Sequence, residues 1–484
     1  MKKRLYLCLS IVLAITGTAC KKMLDIKPVN SMIPVSITDF ESVLMGGYPR
    51  TDFFLKTELL TDNVYANLNS VRDPEKPNEP FFVWASSHLL DGVTDDPYWS
   101  QLYRSVFYAN TVLDNFANRK PEPTEKELYE TVRGEAFALR AYAYFYLVNL
   151  YADVYSPATL DQPGVPMPLT ADDINKTTQN NKRETIGNVW KQIGNDLDQA
   201  ATLLSGKIGK NKFRFDANAV QLLRARFFLF TNQYEKAIQA ASDVVSSKPL
   251  SDMNEMQKRI DDKGNQYAFT SNVGVADTDY KNEILFYTGG KANNNFFYYA
   301  TVMFKPSMEL LALCQRPGQL DYRQYIFASF ADLNTGDGVQ TGTTMYNMFA
   351  KQENPSYYIG LKISEALMIR AESYARLKQK KKAVDDLNML LVRRIRKSDF
   401  HELTEAGFPD DASLLKRVLE ERRVELAFDC GMRWFDLRRL GKPRLEHTYK
   451  NGKVYVLNQN DPKYVLQIPP SEQNNSPEMP LNPR

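Results

Sequence analysis

Apolar residues recur at helical spacing over much of the chain. Tyr98, Leu102, Val106, Ala109, Leu113 and Phe116 form one stripe, and Leu128, Val132, Ala136, Leu139, Ala143, Leu147 and Leu150 form a second. Each predicts a helix with one buried face. A further helix is expected over Thr185 to Leu204. Two helix pairs then repeat one design: Ala225, Phe228, Ala237 and Ala241 stand at the same offsets as Ala371, Tyr374, Ala383 and Leu387, and Pro249 closes the first pair. Small residues let antiparallel helices approach while the aromatic fills the groove between them, so about four tetratricopeptide-like repeats are expected. The expected fold class is mainly α: a helical-repeat scaffold with repeats over about 97–249 and 361–441.

The pattern breaks over 250–360, where Gly, Asn and Ser surround short β-like runs such as Glu283-Ile284-Leu285-Phe286-Tyr287. An irregular, loop-rich subdomain laid on the helices is expected, and loops on a rigid scaffold commonly carry binding. Asn293-Asn294-Asn295-Phe296-Phe297-Tyr298-Tyr299 sets amides beside four rings. That combination suits a sugar, which offers an apolar C–H face and a rim of hydroxyls; a buried strand would alternate the same rings inward. Asn295 and Tyr298 are candidate ligand contacts. So is Trp84, which follows the proline-spaced Asp73–Pro80 stretch, expected to be extended and exposed, with Arg72 and Asn78 nearby. The competing reading is that Trp84 plugs this loop onto the helices.

Leu414 to Gly441 predicts a long helix that runs to Gly431, a natural left-handed stop, before an aromatic-rich turn. Glu421, Arg422 and Glu425, followed by Arg433, Trp434, Asp436 and Arg438, interleave charge with apolar side chains. Such charges are expected to pair as a structural clasp, with Arg433 and Asp436 joined to the Glu421–Glu425 helix.

The same residues carry a resemblance. Glu421-Arg422, Glu425-Leu426-Ala427-Phe428, then Gly431, Arg433-Trp434-Phe435-Asp436-Leu437-Arg438-Arg439 and Gly441 resemble the C-terminal signature of the SusD/RagB family, with Asp429 in place of the usual Glu and Leu440 in place of a frequent Trp. Trp99, Tyr103-Arg104 and Ala109-Asn110, the run Gly134 to Leu147, Gly164-Val165-Pro166, and Cys20 with Met23-Leu24-Asp25 and Pro28 are similar to the family as well. The resemblance covers nearly all of the mature chain. It implies an outer-membrane, nutrient-binding lipoprotein that partners a SusC-like TonB-dependent transporter. It also implies a ligand surface built from an early loop and the irregular region, which points to Trp84, Tyr298 and Asn295. The ligand would be an oligosaccharide, or a peptide as in RagB-like relatives.

Charge and chemistry narrow the alternatives. Lys2, Lys3 and Arg4 precede the apolar run Leu5–Ile15, and small residues lead to Cys20, so 1–19 reads as a secretory signal and Cys20 as the acylated first residue. Residues 20–35 then form a lipidated tether and 36–484 the domain. Removing three basic residues from 61 leaves 58, equal to the 58 acids, which argues against nucleic acid as a partner. After processing, Cys314 and Cys430 are the thiols left, and two separate buried cysteines are favoured over a disulfide. His88, His401 and His447 lack metal spacing, no P-loop, G-x-S-x-G or G-x-G-x-x-G occurs, and no cofactor is expected. A binding protein is therefore favoured over an enzyme. A secreted glycan hydrolase would need a carboxylate pair across a cleft, and a pure repeat scaffold would have no small-molecule pocket.

Overall fold

Ser36 caps α1 (Ile37–Met45) through a reciprocal box with Asp39. The computed structural model describes residues 34–49, 55–66, 78–175, 182–255, 283–287, 304–326, 360–429 and 431–484. Cys20, Arg72, Asn295 and Tyr298 lie outside the described residues, as do the signal and most of the tether. Asp96 caps α2 (Pro97–Phe116), whose proline occupies the first turn, where its missing N–H is harmless. The next helix, α3 (Lys126–Tyr151), is buried on every side from Ala138 to Tyr151, and α1, α2 and α4 (Ile186–Leu203) all pack on it. An all-round apolar helix is the axis of a core rather than its surface.

α5 (Ala217–Phe230) and α6 (Tyr234–Ser247) form the first repeat pair. The next elements are α7 (Met308–Cys314), α8 (Ile363–Arg376) and α9 (Lys380–Leu391), the last two being the second pair. Ala225, Ala237, Ala241, Ala371, Ala383 and Leu387 are all buried. Although 115 residues separate them in sequence, α6 packs directly on α8, so the helical stack is continuous. Buried guanidiniums fasten its layers: Arg140 to Asp196 at 2.7 Å joins α3 to α4, and Arg226 to Glu365 at 2.7 Å joins α5 to α8. The protein is mainly helical, a tetratricopeptide-like array.

The described strands pair as four short antiparallel ladders: β1 (Val64–Ala66) with β5 (Phe304–Pro306), β2 (Pro163–Pro166) with β3 (Arg183–Thr185), β4 (Ile284–Tyr287) with β6 (Gly360–Lys362), and β7 (Leu445–Tyr449) with β8 (Lys453–Leu457). Gly360 is required where it stands, because a Cβ there would lie 1.7 Å from the Phe286 carbonyl oxygen. Phe286 itself stacks on Phe215 at 4.1 Å, seating this ladder on the helices.

Two local expectations differ from the structure. Glu79–Phe82 is a helical turn with Pro80 in its first positions, not an extended loop, because Phe81 and Phe82 turn into the core. The C-terminal helix α10 (Asp411–Glu425) stops six residues before Gly431. Phe428 already takes a left-handed φ of 60°, and Gly431, at φ 70°, instead starts α11 (Met432–Arg439). No helix among the described residues is long and apolar enough to cross a membrane.

Candidate ligand-facing site

The turn Leu60–Asn63, which leads into β1, is gripped from remote points of the chain. Trp84 Nε1 donates to the Leu60 carbonyl at 3.0 Å. His447 Nε2 lies 3.0 Å from the Thr61 carbonyl, and its Nδ1 lies 2.7 Å from that of Phe82. Arg423 donates to the Asp62 carbonyl at 2.8 Å and to Asn63 Oδ1 at 2.9 Å. Ser307 donates through Oγ to the Asp62 carbonyl and through its backbone N–H to that of Asn63, both at 2.7 Å. The Asp62 carboxylate takes both arms of Arg433, at 2.7 and 2.6 Å. The carbonyls of Leu60, Asp62 and Asn63 thus accept hydrogen bonds from positions 84, 307 and 423, and His447 stands against that of Thr61, so four successive residues ahead of the ladder are anchored.

Trp84 belongs to this grip and not to a ligand surface. It is 2% exposed, takes a left-handed φ of 48°, and stacks on His447 with centroids 4.1 Å apart. His447 is sandwiched, because Phe82 stacks on it from another side at 4.1 Å. Burial pulls the His447 pKa below the ordinary histidine range, against the opposite pull of the two carbonyls. The loop-plug reading of Trp84 therefore replaces the platform reading. Asn78, its neighbour in sequence, is also buried.

The clasp has an inner part. Arg422 donates to Asp436 at 2.8 Å, and Arg439 spans Asp436 at 2.8 Å and Glu372 of α8 at 2.6 Å. Burial opposes ionisation of Asp436, yet the guanidiniums of Arg422 and Arg439 hold its pKa at about 2. Glu421 is held at about 2 in the same way, by Arg323, Arg417 and Arg316. Glu425 meets Arg394 at 3.0 Å, and Arg394 also reaches Glu283 at 2.9 Å. Arg438 donates to the Asn149 and Ala152 carbonyls at the end of α3, and Trp434 stacks on Tyr464. Arg433 is the exception to the expected network: its carboxylate is Asp62, 371 residues away in sequence, and not one on α10. Asp62 and His447 were missed because nothing near them in sequence signals a partner 371 or 386 residues away.

The β1/β5 ladder gives the site its direction. Its register pairs Tyr65 with Lys305 and ends at Ala66 opposite Phe304. The chain leaves Ala66 toward Arg72 and enters Phe304 from the side of Asn295 and Tyr298, so both predicted ligand segments join the body at one end of one ladder. Among the described residues no group of three His, Cys, Asp or Glu side chains could hold a metal ion. Cys314 is a free, buried thiol whose pKa burial pushes up; Cys430 lies outside the described residues.

A continuous helical-repeat array with an inserted segment, bolted to a short ladder by a C-terminal arginine clasp, defines a class of scaffold that presents loops. The chain belongs to the SusD family, whose description matches residues 170–484, while a description reading "Starch-binding associating with outer membrane" matches residues 22–229. Curated relatives include SusD-like protein P2 of Formosa agariphila, 24% identical over 100% of each chain, and SusD-like protein P38 of the same organism, 22% identical over 88% of each. Among solved structures, a SusD superfamily protein from Bacteroides thetaiotaomicron matches with a TM-score of 0.72 at 19% identity, covering 93% of this chain and 100% of that one. A putative sugar binding protein from Bacteroides vulgatus matches with a TM-score of 0.71 at 19% identity, covering 94% and 99%. At such identity these structures speak for the fold.

Proposed function

We propose that this chain is a non-catalytic, glycan-binding lipoprotein of the outer membrane, acylated at Cys20 and facing outward, that captures an oligosaccharide and delivers it to a SusC-like TonB-dependent transporter. The observation that carries the reading is the common root of the two candidate segments at the Ala66/Phe304 pair. Arg72 follows Ala66 by six residues, and Tyr298 and Asn295 precede Phe304 by six and nine; six residues reach at most about 20 Å and nine about 30 Å. Arg72, Asn295 and Tyr298 can therefore serve one ligand. The starch-binding, outer-membrane description of the family and the sugar-binding name of a structural relative support the same reading. Acyl chains would supply the anchor, each buried methylene adding about 0.8 kcal/mol.

The test uses labelled polysaccharides on cells and purified chain in native gels containing starch, laminarin or xylan. Purified chain should be retarded by at least one of them, and cells carrying Cys20→Ala should lose surface binding while the purified variant keeps it. A transporter of the TonB-dependent class should co-purify in mild detergent. Retardation by no polysaccharide would remove glycan capture, and undiminished surface binding by Cys20→Ala cells would remove the anchor.

A further inference from the structure

The chain has 27 tyrosines, 26 phenylalanines and four tryptophans, yet among the described residues the exposed aromatic rings are those of Tyr65 and Phe213. Phe213 packs beside Tyr287 at 5.4 Å, in a connection whose Lys210 is paired with Glu41. Tyr65 is different. It is 44% exposed on β1, between the buried Val64 and Ala66, and its hydroxyl makes no hydrogen bond to any described residue. Its mount is the most firmly tied turn of the site, with Arg423, Arg433, His447, Trp84 and Ser307 all holding residues 60–63. A ring that is exposed while its backbone is immobilised loses little entropy when a ligand covers it.

We infer that the open face of Tyr65, with Lys305 beside it on the same face of the β1/β5 ladder, is the platform on which a sugar ring of the captured glycan stacks; this rests on the glycan capture proposed above. Directly opposed residues of an antiparallel ladder project to the same face, so Lys305 shares the face of the ladder that carries Tyr65. Lys305 is half-buried and burial lowers its pKa. A flat, open ring meets the apolar C–H face of a sugar. An extended peptide would seek an open strand edge. Here the Tyr65 side chain, and not a strand edge, is the exposed feature of β1, which favours the sugar.

The experiment compares wild type, Tyr65→Ala and Tyr65→Phe on whichever polysaccharide retards the wild-type chain in native gels, with affinities from calorimetry. Tyr65→Ala should bind about tenfold more weakly, and Tyr65→Phe within about twofold of wild type, because stacking survives without the hydroxyl. Melting temperatures of all three should coincide, since the side chain is outside the core. Tyr65→Ala binding as tightly as wild type overturns the platform while leaving glycan capture standing. So does a variant that keeps polysaccharide affinity and loses only binding to casein-derived peptides. A wild-type chain retarded by no polysaccharide removes glycan capture, and the platform with it.

Discussion

Arg422 and Arg423 are neighbours on α10, and they do different work. Arg422 points inward to Asp436, and Arg439 links that carboxylate to Glu372, all within the packed interior. Arg423 points the other way and, with Arg433, holds Asp62, whose side chain keeps 29% exposure. One short segment thus fastens two things: its inner arginines bolt α10 and α11 to the repeat array, and its outer arginines bolt the turn that carries β1. Full burial makes the inner set dominate stability. Partial exposure lets water replace the outer set, so its weight falls on the position of the ladder.

The largest test of that contrast is acid. Glu421 and Asp436 are held at about 2, below ordinary carboxylates near 4, and each pKa unit is worth about 1.4 kcal/mol. A depressed folded-state pKa stabilises above the unfolded value and is lost as pH falls through the folded one. Stability should therefore decline from about pH 5 toward about pH 2, by on the order of 5 kcal/mol from these two groups. Denaturant melts across that range should show the decline, and Glu421→Gln should flatten it. A flat profile would break the claim that the inner set dominates.

Glu425→Ala comes next. It removes one carboxylate from Arg394, which keeps Glu283, and from Lys362, which keeps Asp429; breaking a buried pair costs up to roughly 3–5 kcal/mol, and the remaining partners lessen it. Thermal melts of the variant should fall by many degrees.

Arg433→Ala is the smallest. Asp62 is partly exposed and keeps Arg423 at 3.4 Å, so the stability loss should be about 1–2 kcal/mol. Glycan affinity should weaken alongside, because the turn beneath Tyr65 loses its bidentate tie. If Arg433→Ala destabilised more than Glu425→Ala, the inner and outer roles would have to be exchanged.

The helices were legible because their information is local. The stripe of α2, the matched offsets of the two repeat pairs and the run from Thr185 to Leu204 that forms α4 all lie within a few residues of what they specify. The clasp was half legible. Arg422 and Asp436 are 14 residues apart on successive helices, whereas Asp62 is 371 residues from Arg433. Trp84 misled for a related reason. It belongs to no helical stripe, and standing beside a proline-spaced stretch suggested exposure. Its stacking partner is His447, and its left-handed backbone is a turn that periodicity cannot register.

The four gripped carbonyls also order events in time. Chain termini and centre must all be present before the turn at 60–63 closes, since its donors stand at 84, 307, 423 and 447. Loop closure over such separations is slow compared with pairing adjacent helices. The repeat array can therefore assemble while the ladder is still open, and the ladder closes only when nearly the whole polypeptide is available. A chain cut short before residue 423 would keep many of its helices and lack the donors at 423 and 447, so completeness of synthesis is checked by the contacts that close this turn.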